Sequence, residues 1–184
     1  MSFLGVVLDT SVLFPAVVRD TLLRSADAGM YRPYWSDEIL EELRRNLVST
    51  GRTTEEQAQR LVDMLRRAFP EASITGYEEV VNRMTNHPKD RHVLAAAVVA
   101  QAQIIVTDNL RDFPETALAP FTIEAQSADT FLTGLFEEVP ERMVQIVIEQ
   151  TAAMRLWPKT YSEVLDSIGK QAPTFAKLVS ERLE

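Results

Sequence analysis

The chain has 184 residues, enough for one domain of ordinary size with an appended element, and its lack of cysteine excludes disulfides, thiolate nucleophiles and cysteine-ligated zinc. A formal net charge of −8 argues against a broad cationic surface for nucleic acid, but it does not exclude a nuclease, because acidic side chains that hold a cation attract phosphate locally. No apolar stretch is long and charge-free enough for a membrane span or a secretory signal, so we expect a cytoplasmic protein.

Short apolar runs alternate with longer helical patterns through the first two thirds of the chain. Such βα units predict a parallel sheet with helices on both faces, and hence an α/β fold. The predicted strands are residues 4–8, 31–35, 104–107 and 121–124, with a further short strand near 73–75. The predicted helices are residues 12–28, 37–48, 54–68 and 91–101, with Ser36 as an N-cap and a capping box from Thr53 to Glu56.

After about residue 126 the pattern contains helices alone. They are predicted over residues 128–136, 140–156, 161–168 and 174–183, with a capping box of Thr160 and Glu163 and with Gly169 as a C′ stop. We therefore divide the chain into a main α/β domain, residues 1–126, and a helical C-terminal extension, residues 127–184. No flexible linker separates them, which favours an extension packed on the main domain.

Asp9 follows the first apolar strand directly and is itself followed by Thr10 and Ser11. Ligands of open parallel sheets bind beyond the carboxyl ends of the strands. An acid at this position faces the crevice where such proteins carry out their chemistry, and we take Asp9 as the first candidate catalytic residue.

Two further acids lie on or beside predicted helices. Glu42 borders the apolar stripe of its helix and can point into a crevice, although a solvated surface carboxylate is the alternative for this residue alone. Asp90 precedes an unusually apolar helix. It can bind a metal there, or it can cap the helix and complement its dipole.

A last polar cluster follows the strand that ends near Thr107. Asp112 and Asn109 can both reach a crevice from this loop, whereas Asp108 alternates to another face if the strand continues. An Asx-turn that leads into Phe113 is the structural alternative.

The order of these residues along the chain and their surroundings resemble those of a PIN domain, the ribonuclease fold of VapC-type toxins. The resemblance rests on four motifs: residues 7–13, residues 36–43, residues 90–96 and residues 106–114. It covers roughly residues 2–126, and the helical tail is similar to the C-terminal extension of a VapC-like subgroup. It implies a three-layer α/β/α fold around a central parallel sheet.

The resemblance also implies one acidic pocket for Mg²⁺ or Mn²⁺, with Ser11 as an accessory polar group. Its acids are Asp9, Glu42, Asp90 and Asp112. Where many relatives have Thr-x-Asp, this chain has Asn109, which either binds through its carbonyl oxygen or orients water. Clustered carboxylates repel one another until a cation neutralises them, and oxygen ligands suit these two ions. We assign Asp9 and Asp90 to one ion, and Glu42 and Asp112 to the nucleophilic water.

By this resemblance the protein is a metal-dependent endoribonuclease and the toxin of a toxin–antitoxin pair. Its partners are then an RNA substrate, a small antitoxin whose basic side chain blocks the pocket, and a second copy in a homodimer. Two alternatives stay open. One is an inactive PIN-like module that binds RNA or protein. The other is a phosphatase of the haloacid dehalogenase type, although such phosphatases have a second acid two residues after the first, where this chain has Ser11. His87 and His92 do not have the spacing of a paired zinc site, so we interpret them as structural or surface residues.

Overall fold

The computed structural model describes residues 4–155 and 158–183. Within them, five parallel strands form one sheet in the order β3-β2-β1-β4-β5. The strands are β1 (Gly5–Leu8), β2 (Arg32–Ser36), β3 (Ser73–Ile74), β4 (Ile104–Val106) and β5 (Glu124–Gln126). The predicted α/β class, with a parallel central sheet and a helical C-terminal part, is confirmed.

Helices connect these strands and continue alone after the last one. They are α1 (Thr10–Leu13), α2 (Ala16–Asp27), α3 (Asp37–Ser49), α4 (Glu55–Ala68), α5 (Arg91–Ala100), α6 (Glu115–Leu118), α7 (Ala128–Glu138), α8 (Pro140–Ala153), α9 (Tyr161–Gly169) and α10 (Pro173–Leu183). The apolar helix α5 is buried continuously from His92 to Ala97 and packs against β1, β2, β3 and β4. Its residues form the core of that face of the sheet.

The order of the strands places a crevice beside β1. From β1 the chain proceeds to β2 and β3 on one side, and it returns through α5 to β4 and β5 on the other. Val7 pairs with Tyr34 of β2 and with Ile105 of β4. The boundary between β1 and β4 is therefore the point where the connections diverge, and ligands of open α/β sheets bind at such points.

Proline interrupts the helix that was predicted over residues 12–28. Pro15 lies between α1 and α2, because its ring lacks an N–H and blocks the preceding helical turn. The guanidinium of Arg19 donates to the free carbonyl oxygens of Leu13 (2.7 Å) and Phe14 (3.4 Å). Burial lowers the pKa of Arg19 to about 10, and the charge of Asp20 opposes this. One predicted helix is thus two.

The last strand was predicted too early. A 3₁₀ helix covers Ala119–Phe121, Thr122 has a left-handed backbone with φ of 57°, and β5 begins only at Glu124. The apolar residues at 121 and 123 suggested a strand, but Pro120 lies within the 3₁₀ turn. Only the later residues pair with β4.

Some predicted helix ends are confirmed and others are wrong. Ser36 caps α3 by accepting the Ile39 N–H, and the capping box of Thr160 and Glu163 is present. The other capping box starts at Thr54 rather than Thr53 and uses Gln57, because α4 begins one residue later.

Two further C-terminal ends differ from the prediction. Gly169 is the last residue of α9 and is followed by a right-handed Lys170, so it is not a C′ stop. Helix α8 ends at Ala153, and its predicted end at Leu156 lies outside the described residues.

Two of the C-terminal helices, α8 and α9, pack on α2, and α7 contacts the segment that follows α2. The ring of Phe131 in α7 meets Tyr31 edge-on, with centroids 5.0 Å apart. Gln150 of α8 is fully buried: its Oε1 accepts from Thr21 (2.8 Å) and its Nε2 donates to the Val17 carbonyl (2.9 Å). Across residues 4–155 and 158–183 no helix has both the length and the apolar character that crossing a bilayer requires.

Candidate active site

A polar cleft of about 260 Å³ opens at the carboxyl ends of β1 and β4. Asp9 follows β1 directly and is 2% exposed, and its backbone N–H bonds to Val106 of β4. The candidate residues that line the cleft are Asp9, Ser11, Glu42, Asp90 and Asn109. Their convergence follows from the sheet order, because β1 and β4 end side by side.

The carboxylate of Asp9 is fixed by three donors. Its Oδ1 accepts the Thr10 N–H (2.8 Å), and its Oδ2 accepts the hydroxyls of Ser11 (2.8 Å) and Thr107 (2.8 Å). Charge-assisted hydrogen bonds of this kind are about twice as strong as neutral ones. Asp9 therefore has a single orientation before any ligand binds.

The same two hydroxyls hold the loop that follows β4. Ser11 Oγ accepts the Asp108 N–H (3.0 Å), and Thr107 Oγ1 accepts the Asn109 N–H (3.0 Å). Each hydroxyl thus donates to Asp9 and accepts from the loop. Asp108 and Asn109 are exposed, and Asn109 lines the cleft while Asp108 does not.

Glu42 reaches the cleft from the first half of α3. The Thr10 hydroxyl donates to Glu42 Oε2 (3.2 Å) and to the Ile39 carbonyl oxygen (3.1 Å), which attaches α3 to the end of β1. On the other side, the ammonium of Lys89 lies 3.7 Å from Glu42 Oε1. The Glu42 side chain is 18% exposed, so it borders the core as its helical position predicts.

Asp90 is buried at the cleft in an environment that disfavours its charge. It is 3% exposed, and its Oδ2 is buried without a hydrogen-bond partner among the described residues. Burial is the largest cause that raises the pKa of Asp90 to about 6; the neighbouring carboxyls of Asp9 and Asp112 contribute in the same direction, and the charge of Lys89 opposes them. A buried carboxylate with a free oxygen is costly unless a cation satisfies it.

Asp112 lies beside Asp90 rather than on the wall of the cleft. It ends the 3₁₀ helix Leu110–Asp112 and is partly buried. His87 joins this pair: a ligand atom of each of His87, Asp90 and Asp112 lies within 4.8 Å of the other two. All four predicted acids are thus near one another, with Asp112 on the outer side.

The donor set suits a hard divalent cation. Asp9, Glu42, Asp90 and Asp112 supply carboxylate oxygens, which are the ligands that Mg²⁺ and Mn²⁺ take in proteins. The buried Oδ2 of Asp90 has no hydrogen-bond partner among the described residues, and burial together with the neighbouring acids raises the pKa of this carboxyl. A bound cation would remove both costs.

The residues that fix the acids were not assigned roles from the sequence. Thr107 orients Asp9, Thr10 holds Glu42, and Lys89 faces the cleft. Thr107 directly follows β4, and Thr10 follows Asp9 at the end of β1. The contacts that these residues make depend on β1 lying next to β4. That adjacency is not visible in the sequence.

A family model described as PIN domain matches residues 5–111, more than half of the chain. The chain belongs to the PIN domain family. A second model, described as VapC50 C-terminal domain, matches residues 128–181 of this PIN protein. The predicted resemblance to VapC-like PIN proteins with a helical C-terminal part is thereby confirmed.

A curated relative of this PIN protein is the Mycobacterium tuberculosis (strain ATCC 25618 / H37Rv) protein named "Putative ribonuclease VapC50". The two chains are 42% identical over 101 residues, which is 55% of the present chain and 60% of that relative. The similarity therefore spans less than two thirds of the relative's length.

Proposed function

We propose that this PIN protein is a divalent-metal-dependent endoribonuclease that hydrolyses phosphodiester bonds of RNA. The observation that carries the proposal is the buried Oδ2 of Asp90, which has no hydrogen-bond partner in the described part of the chain and lies in a cleft shared with Asp9 and Glu42. The name of the M. tuberculosis relative, which calls it a ribonuclease, supports the same reaction. We propose Mg²⁺ or Mn²⁺ as the cation.

The acids have different tasks in this proposal. When bound, a divalent cation would polarise the scissile phosphate and make a bound water more acidic and so a better nucleophile. Asp9, already oriented by Ser11 and Thr107, and Asp90, with its free oxygen, would hold the ion. Glu42 and Asp112 would hold and orient the attacking water, with Asp112 also within reach of the ion beside Asp90.

Lys89 and Asn109 complete the proposed site. The Lys89 ammonium is close enough to Glu42 to compensate its charge and is otherwise exposed, so it can bind a phosphate oxygen of the RNA. Asn109, on the opposite loop, would bind the ion through its amide oxygen or position water. Ser11 stays accessory, because its hydroxyl acts on Asp9.

The first experiment is cleavage of a panel of tRNAs and structured RNAs by purified protein with Mg²⁺, Mn²⁺ or EDTA. We expect metal-dependent cleavage that is lost in Asp9→Asn and Asp112→Asn. Asp27→Asn is the matched control, since Asp27 is exposed at the far end of α2. Circular dichroism checks that each variant is folded.

The outcomes separate the alternatives. Wild-type cleavage rates in folded Asp9→Asn would overturn the assignment of Asp9. No cleavage together with no metal binding would favour the inactive binding module. The phosphatase alternative loses its basis, because the chain belongs to the PIN family and Ser11, in place of a second acid, donates to Asp9.

We further propose that the protein is the toxin of a toxin–antitoxin pair, acts on cytoplasmic RNA and forms a homodimer. An antitoxin that presents a basic side chain to the acidic cleft would compete with the cation. We expect the product of a small neighbouring reading frame to co-purify with this protein and to inhibit cleavage. A neighbouring product that neither binds nor inhibits would contradict the pairing while leaving the nuclease proposal in place. Light scattering tests the dimer.

A further inference from the structure

We propose that His87 is a nitrogen ligand of the metal, together with Asp90 and Asp112, and that the site therefore prefers a first-row transition metal such as Mn²⁺ over Mg²⁺. The inference rests on the proposed function, because both acids belong to the proposed catalytic site. It adds a ligand of a different chemical kind. The sequence pattern had assigned His87 a structural or surface role.

The distances fit a site that closes slightly around an ion. His87 Nδ1 lies 3.8 Å from Asp90 Oδ2, and the ligand atoms of the three residues all lie within 4.8 Å of one another. Metal–ligand bonds of about 2.0–2.2 Å place neighbouring ligand atoms of an octahedral ion about 3 Å apart. The His87 side chain is 53% exposed, so it is free to make this small movement.

Backbone hydrogen bonds already hold the three residues together. The His87 N–H donates to the Asp112 carbonyl oxygen (3.1 Å), and the Asp90 N–H donates to the His87 carbonyl oxygen (2.9 Å). The two segments that carry the ligands, residues 87–90 and 110–112, are thus joined at His87. Such preorganisation reduces the entropy that metal binding must overcome.

The free oxygen of Asp90 independently indicates a ligand at this point. Within the described residues Asp90 Oδ2 is buried without a hydrogen-bond partner, and it is also the atom of Asp90 that lies nearest His87 Nδ1. At 3.8 Å the imidazole does not satisfy it by a hydrogen bond. An ion between the two would contact both atoms.

Metal binding through Nδ1 would cost His87 only one weak hydrogen bond. Its Nδ1 accepts the Lys89 N–H at 3.4 Å, a long and therefore weak hydrogen bond. Imidazole is a borderline ligand that transition metals accept readily, whereas Mg²⁺ prefers oxygen and retains its water. One nitrogen with two carboxylates therefore shifts the preference toward Mn²⁺.

The test uses Mn²⁺ as a spectroscopic probe of its own ligands in tag-free, full-length protein. Electron spin echo modulation from ¹⁴N reports a coordinated imidazole without any measurement of activity. The chain has two histidines, so His92→Gln is the matched control for His87→Gln. His92 is buried at a different place, 3.8 Å from Glu38.

We expect the ¹⁴N modulation in the wild-type protein and in His92→Gln, and its loss in His87→Gln. By calorimetric titration, His87→Gln should weaken Mn²⁺ binding on the order of 10-fold and Mg²⁺ binding much less. Mn²⁺ that binds without ¹⁴N modulation would overturn the inference and leave the nuclease proposal intact. Modulation that depends on His92 would also overturn it, as would the absence of Mn²⁺ binding. The absence of both Mn²⁺ and Mg²⁺ binding would overturn both proposals.

Discussion

Asp90 shows how a buried carboxylate of the candidate site can oppose folding. Burial and the neighbouring acids raise its pKa from 3.8 to about 6. Between these values the folded protein binds more protons than the unfolded chain, so this group's contribution to stability decreases as pH rises from about 4 to about 6. At neutral pH the metal-free protein carries the full penalty of an ionised Asp90.

We therefore expect Asp90→Asn to be more stable than the wild-type protein at neutral pH in EDTA. The wild-type melting temperature should fall between about pH 4 and pH 6, and the variant should lose this part of the dependence. Thermal unfolding across the pH range measures both. Asp27→Asn, at an exposed position, should retain the wild-type dependence. An Asp90→Asn protein that is less stable than wild type at neutral pH would contradict the argument.

Thr107 illustrates a residue that acts through another. Thr107→Val removes the hydroxyl that donates to Asp9 and accepts the Asn109 N–H, with almost no change in volume. We expect a loss of about 1.5–3 kcal/mol in the free energy of unfolding, the usual value for a hydrogen bond to a charged group. Metal affinity or cleavage should fall about 10- to 100-fold, as for other residues that orient metal ligands.

The control for this substitution is Thr133→Val in α7. The buried hydroxyl of Thr133 has no hydrogen-bond partner in the described part of the chain, so its loss should cost little and leave cleavage unchanged. Urea unfolding and cleavage rates compare the two variants. Equal behaviour of both would show that the Thr107 hydroxyl does not position Asp9.

At the scale of the elements, one buried amide joins the two parts of the chain. Gln150 of α8 bonds to Thr21 and Val17 of α2, and it is fully buried among apolar side chains. Its hydrogen bonds fix the register of α8 on α2, because a displaced amide would be buried without partners.

Gln150→Leu should therefore destabilise the protein by about 1–2 kcal/mol, because it removes two buried hydrogen bonds while the Thr21 hydroxyl keeps its bond to the Val17 carbonyl. Gln145→Leu on the same helix is the control, since Gln145 is exposed and bonds only to the neighbouring turn at Glu149. Denaturant unfolding gives both values. The interpretation fails if the two substitutions cost the same.

For the whole molecule, the contacts favour one cooperative unit rather than two independent domains. The C-terminal helices cover α2 and the ring of Tyr31, which is 2% exposed. We propose that residues 1–126 and 127–184 differ in sequence pattern but fold together as one unit. The two family models, over residues 5–111 and 128–181, leave the intervening segment unmatched.

A chain cut after residue 126 should consequently fail to form a native fold on its own. Truncation would expose the apolar surface of α2, and exposed patches of this kind cause aggregation. Solubility and the dispersion of NMR amide signals measure the result. Co-expression of residues 127–184 as a separate chain should restore folding. A soluble, dispersed fragment with wild-type cleavage would show that the main domain is independent.

Local patterns in the sequence were sufficient for the fold class, most helices and the candidate acids. The apolar run over residues 4–8 and the alternation of strand and helix patterns after it predict a parallel sheet, because helices that connect successive strands leave those strands parallel. Asp9 at the end of that run was recognisable for the same reason. Where a single local feature overrode the pattern, as at Pro15 and Thr122, the predicted boundaries were wrong.

The tertiary structure alone decided how these residues are held and which others join them. The adjacency of β1 and β4, separated by nearly a hundred residues in the chain, brings the Thr107 hydroxyl to Asp9. The position of His87 beside Asp90 and Asp112 depends on a backbone hydrogen bond between two loops. Such contacts arise from packing between distant segments, and no periodicity in the sequence records them.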